Sequence, residues 1–203
     1  LAASGALDRT LVIVTADHGE MLGDGWQLGK QGFRPEAFHV PLMIRHPKRQ
    51  KPGHIVDRFT EHVDLMPTIL ADLGIEIPRQ CDGHALTPFL VGETPPGWRE
   101  AAVYEHDFRD LEHGWHREAL GLDDDQCGIA VRRSYDRLYA HFAGLPPLLW
   151  TIDDAGNATA IDDPATHAAE AQALLSHRMA KADRRLTGCL LTENGPIGGY
   201  DPL

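Results

Sequence analysis

The sequence predicts an α/β protein built in two parts, and three observations predict it. The run LVIVTA at Leu11–Ala16 is apolar, β-rich and unbroken, which is typical of a strand buried on both faces of a sheet. Four β-rich segments follow the linker-like stretch Gly92–Gly97, which indicates a small antiparallel sheet. A long segment near the end of the chain then carries apolar residues at helical spacing. We expect part of an α/β domain over residues 1–97 and a C-terminal subdomain over residues 98–203.

The first part begins with elements that fit a sheet sandwiched by helices. The opening residues are typical of the end of a helix that stops at Gly5, and the chain does not begin with Met, so we expect a fragment of a longer protein. After the first strand, Met21–Ala37 is rich in glycine and polar residues, which predicts a loop. Val40–Arg45 is predicted to form a second strand.

Two helices are predicted before the linker. Asp64 has the character of an N-cap, and Gly74 marks the end of the helix that would follow it. A short helical piece is expected at Thr87–Val91. The apolar positions that predict the longer helix are Leu65, Ile69, Leu70 and Leu73.

The second part is predicted to hold an antiparallel sheet closed by one long helix. The helix should begin at Asp163–Pro164 and run to about Leu186. The glycine-rich tail after Thr187 should be irregular. The four predicted strands are Ala102–His106, Gly128–Arg133, Tyr135–Phe142 and Leu148–Ile152.

Charge and composition exclude some functions. The formal charge of −11 argues against a nucleic-acid partner, because phosphate contacts need a basic face. It does not exclude a small anionic substrate, since a local cation can outweigh the net charge within a cleft. The longest apolar runs fall far short of the ~20 residues of a membrane span, so no membrane partner is expected. The three cysteines are odd in number and far apart, which favours the cytoplasm.

Asp17 and His18 are the candidate metal ligands. They stand directly after the first predicted strand, and ligands of open α/β sheets sit at the carboxyl ends of strands. Adjacent residues of a strand point to opposite faces, so both side chains can reach one ion only where the backbone bends, which Gly19 makes easy. The alternative is a surface turn without a ligand.

Lys30 is the candidate contact to a substrate anion. It lies in a glycine-rich stretch between Gly29 and Gly32, where an ammonium group is free to fold toward an anion held by a metal. Neutralising the non-bridging oxygens in the transition state is the main task in phosphoryl and sulfuryl transfer. The alternative is a solvated lysine in a loop.

Taken together, these segments resemble the C-terminal half of the sulfatase branch of the alkaline phosphatase superfamily, and most closely its phosphonate monoester hydrolase and phosphodiesterase subgroup. The likeness runs from about Leu7 to Leu186, in family order and spacing. The motifs that carry it are Asp17-His18-Gly19-Glu20, Gly29-Lys30, Val40-Pro41-Leu42 with Pro47, residues 63–70, Asp82-Gly83, Pro88-Phe89-Leu90, Trp98-Arg99-Glu100, residues 104–110, residues 141–147 and residues 181–184.

The resemblance implies a partial alkaline-phosphatase-like sheet and one divalent metal ion that is bound partly by Asp17 and His18. It also implies that Lys30 is a catalytic residue that binds the transferred group. The nitrogen donor of His18 favours manganese or iron, with zinc or calcium as alternatives. Family members carry their nucleophile, a formylglycine, in a Cys/Ser-x-Pro-x-Arg motif. No cysteine of this chain lies in such a motif.

The function implied is metal-dependent hydrolysis of phosphonate monoesters and phosphodiesters, and of sulfate esters as a further class. Without the nucleophile, the fragment by itself is expected to be inactive. The full-length protein is expected to form homo-oligomers. Three alternatives stay open: an arylsulfatase, a two-metal phosphatase, and an inactive scaffold.

Overall fold

The computed structural model describes residues 1–30, 33–48, 51–154, 157–181 and 189–198. The chain divides into two compact units, one formed by Leu1–Phe59 with Pro88–Leu174 and the other by Thr60–Thr87 with Leu175–Leu203. The predicted domain boundary after residue 97 concerns the organisation of the longer protein and stays a prediction.

The helices and strands are named here in chain order. They are β1 (Val12–Thr15), β2 (Met21–Leu22), β3 (Leu28–Gly29), α1 (Pro35–Phe38), β4 (Leu42–Arg45), α2 (Leu65–Asp72), α3 (Thr87–Leu90), β5 (Ala101–Asp107), α4 (Trp115–Leu120), β6 (Gly128–Ser134), β7 (Arg137–Phe142), β8 (Leu148–Ile152), β9 (Ala158–Ala160), α5 (Pro164–Lys181), β10 (Cys189–Thr192) and β11 (Gly195–Gly198).

In the first unit, β1 pairs antiparallel with β4, so that Val12 lies opposite Arg45 and Thr15 opposite Leu42. The expectation that the first strand is buried on both faces is wrong for this chain, because Val14 is 48% exposed. Among the described residues β4 is the one strand that pairs with β1, which leaves much of the pair's apolar surface uncovered.

The segment predicted as a loop over residues 21–37 contains more structure than expected. The strands β2 and β3 form a two-residue antiparallel ladder, and α1 follows with Pro35 in its first turn. Met21 anchors this segment, since its side chain is fully buried. The sequence did not reveal β2 and β3, because two residues are too few to display an alternating pattern.

The antiparallel sheet of the first unit confirms the predicted C-terminal architecture. Its strand order is β5-β6-β7-β8-β9 with every neighbouring pair antiparallel. The strands β5 to β8 coincide closely with the four predicted ones, and β8 coincides fully. Only β9 was not predicted, since its sequence, Ala-Thr-Ala, is short and weakly apolar.

Side chains alternate between the two faces of the sheet along each strand. Each face carries its own cluster of buried residues. One face carries a buried cluster of Ile129, Val131, Leu138 and Ala140, against which Phe33 and Tyr104 pack. The other face carries a second cluster, which receives one side of α5. Its members are Ala130, Tyr139, Leu149 and Leu174. Residues 182–186, where the long helix was predicted to end, lie outside the described residues.

In the second unit, α2 begins after a short 3-10 turn and ends as predicted at Gly74, whose φ of 68° is left-handed. Asp64 occupies the N-cap position of α2 as predicted, but its side chain makes no capping hydrogen bond to this helix. Its buried carboxylate instead accepts hydrogen bonds from the backbone N–H groups of Glu61 (2.8 Å) and His84 (2.9 Å), so it ties two loop segments together.

The expectation of an irregular C-terminal tail is also wrong, because β10 and β11 form an antiparallel hairpin. Glycine-rich sequence suggested a loop there, yet a tight hairpin also uses glycine. Within the described part of the chain, no helix combines the length and the apolar character needed to cross a membrane.

Candidate metal and substrate site

Asp17 and His18 lie two and three residues beyond the end of β1, in an extended turn. The Asp17 side chain is 88% exposed and that of His18 is 35% exposed. The Oδ2 atom of Asp17 and the Nε2 atom of His18 are 3.6 Å apart. The structure therefore brings together the two side chains that the sequence nominated.

The imidazole of His18 is held in one orientation by its own neighbour. Its Nδ1 atom lies 2.8 Å from the carbonyl oxygen of Gly19. A carbonyl oxygen can only accept a hydrogen bond, so Nδ1 carries the hydrogen, and in the neutral ring Nε2 carries a lone pair. Two hydrogen-bond acceptors, Nε2 of His18 and Oδ2 of Asp17, thus face each other, an arrangement that a cation stabilises.

The carboxyl group of Asp17 is biased toward its charged form. Its pKa lies below the ordinary value, mainly because its own backbone N–H interacts with the carboxylate. The His18 ring, when it is protonated, lowers the pKa further, and so does the backbone N–H of His18, which donates to Oδ1 over 3.1 Å. An ionised carboxylate is the form that binds a metal.

Gly19 connects this turn to α1. Its backbone N–H donates to the carbonyl oxygen of Ala37 over 2.7 Å. A Cβ atom at position 19 would lie only 2.0 Å from the carbonyl oxygen of Glu36. The φ angle of Gly19 is not left-handed. Glycine is therefore needed here for close approach of two backbones, and not for the bend that the sequence suggested.

The two donors fit a shared divalent ion. Adjacent ligand atoms about 2.1–2.2 Å from one divalent ion lie about 3.0 Å apart in octahedral geometry and about 3.4 Å apart in tetrahedral geometry, and the observed separation of 3.6 Å is slightly longer than both. The Nδ1–H···O=C bond to Gly19 is the outer contact that metal-binding histidines commonly make. No group of three His, Cys, Asp or Glu side chains suited to a metal occurs within the described ranges. Asp17 and His18 would thus supply only two of the ligands of such an ion.

Lys30 directly follows β3 and is exposed. The left-handed φ of Gly29, 82°, turns the chain at this point. The positive charge of Lys30 is among the causes that lower the pKa of Asp17, although it is the smallest of them. Its other predicted glycine neighbour, Gly32, lies outside the described residues.

Three aromatic residues make contacts close to this turn that the sequence did not predict, although Tyr104 belongs to the resemblance motif at residues 104–110. The hydroxyl of Tyr104 in β5 donates to the carbonyl oxygen of Phe33 over 2.7 Å. Its ring stacks on Phe38, with centroids 4.2 Å apart and planes at 18°. Burial raises the pKa of the Tyr104 hydroxyl. Phe33 and Tyr104 are 71 positions apart, so no local spacing could have revealed the contact.

The acidic run Asp123–Asp125, which could suggest a cation site, has a structural explanation. Asp124 lies 2.9 Å from Nε2 of the buried His116 and also pairs with Arg117. The backbone N–H of Asp110 donates to Nδ1 of His116 over 3.2 Å. The imidazole therefore donates from Nε2 to Asp124, and the run forms part of a local hydrogen-bond network.

Comparisons with known proteins show which hydrolases the chain resembles. A family model described as Sulfatase matches residues 1–75. The chain is 42% identical over 193 residues to the multifunctional alkaline phosphatase superfamily protein PehA of Trinickia caryophylli, a match that covers 92% of this chain and 38% of that protein. Residues 1–75 thus match the sulfatase family, and the chain as a whole is similar to a protein of the alkaline phosphatase superfamily.

Two solved structures are similar over nearly the whole chain. The phosphonate monoester hydrolase of Agrobacterium radiobacter superimposes with a TM-score of 0.84 at 42% identity, and that of Silicibacter pomeroyi with a TM-score of 0.85 at 39% identity. Each match covers 99% of this chain and 41% of the other. The chain thus spans about two fifths of the length of these relatives, and the predicted resemblance to phosphonate monoester hydrolases is confirmed.

Proposed function

We propose that the full-length protein hydrolyses phosphonate monoesters and phosphodiesters in a metal-dependent reaction, with sulfate esters as a further substrate class. The observation that carries this proposal is the pair of acceptors at the end of β1. With Nδ1 of His18 bound to the Gly19 carbonyl, the lone pair of Nε2 faces Oδ2 of Asp17 at 3.6 Å. The similarity to two phosphonate monoester hydrolases supports the substrate class.

Asp17 and His18 would hold one divalent ion through an oxygen and a nitrogen donor. This mixed donor pair favours manganese or iron, with zinc or calcium as alternatives. The chemistry that a divalent ion supplies in such a site is polarisation of phosphoryl or sulfuryl oxygens and activation of a nucleophile. Gly19 and α1 keep the imidazole oriented, so the Nε2 lone pair is available without reorganisation.

Lys30 would act as a catalytic residue that binds the transferred group. Its ammonium donates charge-assisted hydrogen bonds to non-bridging oxygens, where negative charge accumulates in the transition state. The nucleophile, which the family resemblance makes a formylglycine, would come from a part of the protein outside this chain. The chain alone is accordingly proposed to be inactive.

Three further properties of the full-length protein are proposals. A small anionic ester is the expected partner, and the negative overall charge does not favour nucleic acid. Homo-oligomer formation follows from the family resemblance. A cytoplasmic location follows from the sparse, odd-numbered cysteines.

Three esters that all release p-nitrophenol test the proposed substrate class. We would measure kcat/KM of the full-length protein on p-nitrophenyl phenylphosphonate, bis(p-nitrophenyl) phosphate and p-nitrophenyl sulfate. The proposal expects the first two to be preferred. A clear preference for the sulfate would support the arylsulfatase alternative, and no turnover of any ester would support the scaffold.

Two histidine variants show whether any activity arises at this site. His18→Ala is expected to lose most of the turnover together with bound metal. His54→Ala, which removes an exposed histidine outside the site, is the matched control. Equal activity of both variants would contradict the proposed site.

A further inference from the structure

We propose that Tyr104 is a positioning residue for the site, holding the segment that supports both His18 and Lys30. This role rests on the proposed function, because it assigns to Tyr104 the placement of the residues that would bind the metal and the transferred group. Tyr104 belongs to β5, far from the site in sequence. Its contacts nevertheless reach the two ends of one short segment, residues 33–38.

Tyr104 holds that segment at both ends by different means. Its hydroxyl donates to the carbonyl oxygen of Phe33 over 2.7 Å, and its ring stacks on Phe38 at a centroid distance of 4.2 Å. The hydrogen bond fixes the backbone at the start of the segment, and the stacked ring fixes the side chain at its end. Tyr104 thus contacts both Phe33 and Phe38 through a single side chain.

The middle of the segment contacts Gly19, and Gly19 in turn orients the His18 ring. α1 (Pro35–Phe38) packs on Gly19 so closely that a Cβ atom there would lie 2.0 Å from the Glu36 carbonyl oxygen. The Gly19 N–H donates to Ala37, and the Gly19 carbonyl accepts the Nδ1–H of His18. A displacement of α1 therefore moves the peptide that orients the imidazole.

The start of the segment, Phe33, lies three residues after Lys30 in the chain. The Phe33 ring is fixed by aromatic contacts, stacking on Trp150 at 5.4 Å and meeting Phe142 edge-on at 5.9 Å. With its carbonyl held by Tyr104 as well, Phe33 is a fixed point three positions after Lys30 in the sequence. In this proposal that fixed point limits the positions of the Lys30 ammonium, which is how positioning lowers a barrier.

Tyr104 is itself fixed by the sheet. It lies opposite Val131 of β6, which is buried in the cluster on the same face. The apolar ring and the polar hydroxyl are both used, so tyrosine is the side chain that suits this position. Phenylalanine would keep the stacking and lose the hydrogen bond, whereas leucine would lose both.

The experiment uses the full-length protein with Tyr104→Phe, Tyr104→Leu and a matched control, Tyr139→Phe. Tyr139 is a buried tyrosine of the same sheet, whose hydroxyl contacts His141 at 3.0 Å instead of the site segment. Loss of one net hydrogen bond predicts that Tyr104→Phe raises the exchange rate of the Gly19 amide hydrogen about three- to tenfold. Amides of the paired strands β6 and β7 should exchange at unchanged rates.

Kinetics then separate positioning from a general loss of stability. Tyr104→Phe is expected to lower kcat about three- to tenfold with KM within about twofold, and Tyr104→Leu to lower kcat further. In a double mutant with Lys30→Ala, the effect of Tyr104→Phe on kcat should shrink, because the part of the effect that acts through Lys30 is already lost. The control should leave kcat and Gly19 exchange unchanged.

Unchanged Gly19 exchange in both Tyr104 variants would overturn the role of Tyr104, and full additivity with Lys30→Ala would overturn its action through Lys30. That result is distinguishable from failure of the proposed function. If His18→Ala and Lys30→Ala abolish activity while Tyr104→Phe behaves as wild type, only the positioning role is wrong. If His18→Ala and Lys30→Ala are both fully active, the proposed function itself is wrong.

Discussion

The backbone N–H of Gly19 donates to the carbonyl oxygen of Ala37 over 2.7 Å, which joins the turn after β1 to α1. The two backbones meet so closely at this point that no side chain fits between them. The carbonyl of the same glycine accepts the Nδ1–H of His18. One residue thus fixes the tautomer of the candidate ligand and the position of the turn that carries it.

Gly19→Ala should therefore be among the most damaging small substitutions in the chain. The added methyl would lie 2.0 Å from the Glu36 carbonyl oxygen, so α1 must move, at a cost of about 1–3 kcal/mol in the free energy of unfolding. Urea denaturation measures the loss, and titration with Mn²⁺ measures the accompanying fall in metal affinity. Gly128→Ala is the control, because a methyl there meets only Ala143 at 3.9 Å. Equal stability of the two variants would contradict the close approach.

Lys30→Ala should lower kcat without unfolding the protein, because the side chain is exposed. Removal of one charge-assisted contact to the transition state is expected to cost about 2–4 kcal/mol, or ~10²–10³ in rate. Steady-state kinetics of the full-length protein measure the change. Lys48→Ala, which removes another exposed lysine, should turn over normally. Near-normal turnover of Lys30→Ala would exclude its catalytic role.

Glu170 is expected to matter for stability and not for chemistry. Its side chain is 7% exposed and pairs with Arg132 at 2.5 Å and with Arg137 at 3.3 Å, joining α5 to the sheet. Glu170→Ala leaves partly buried guanidinium groups unpaired and should cost about 3–5 kcal/mol in the free energy of unfolding. Glu118→Ala, at an exposed position of α4, should change it little. Urea denaturation that gave similar midpoints for both variants would refute this role.

The hydrogen bonds of Asp124 with His116 and Arg117 predict a contribution to the free energy of unfolding that depends on pH. The hydrogen bond from His116, and then the charge of Arg117, hold the pKa of Asp124 below its ordinary value of 3.8. A carboxyl group with a lowered pKa in the folded state stabilises that state above its unfolded pKa, and loses this effect as the pH falls through the folded pKa.

The stability difference between wild type and Asp124→Asn should accordingly be greatest above about pH 4 and shrink at lower pH. Urea denaturation at several pH values from neutral to acid measures it. Asp125→Asn removes the same charge from the next residue and serves as the control. A difference that stayed constant with pH would show that the bond to His116 does not bias the ionisation of Asp124.

Local patterns in the sequence were sufficient for the C-terminal sheet and the long helix. Strand β8 is rich in residues that favour strands, and the apolar face of α5 repeats at helical spacing, so each element could be predicted from its own residues. The short strands β2, β3 and β9 were missed because two or three residues are too few to show the alternation of apolar and polar residues that marks a strand. Asp64 was correctly predicted as the N-cap residue, but the role of its side chain was not, because one partner, the backbone of His84, lies 20 positions away.

The candidate site was predicted as far as neighbouring residues define it. Asp17 and His18 are adjacent, so a strand followed by a bend was enough to predict that they converge. The use of Gly19 for close packing depends on α1, and the contact of Tyr104 with Phe33 depends on a sheet formed much later in the chain. Such contacts arise from tertiary structure and leave no local signal.

The most direct test is an anomalous diffraction measurement on crystals of the full-length protein, grown with Mn²⁺ and with data collected on both sides of the manganese absorption edge. The expected result is a single manganese peak about 2.0–2.3 Å from both Oδ2 of Asp17 and Nε2 of His18, while Nδ1 still contacts the Gly19 carbonyl. A crystal in which these side chains point apart, or in which the ion binds without them, would contradict the assignment of the two residues as metal ligands.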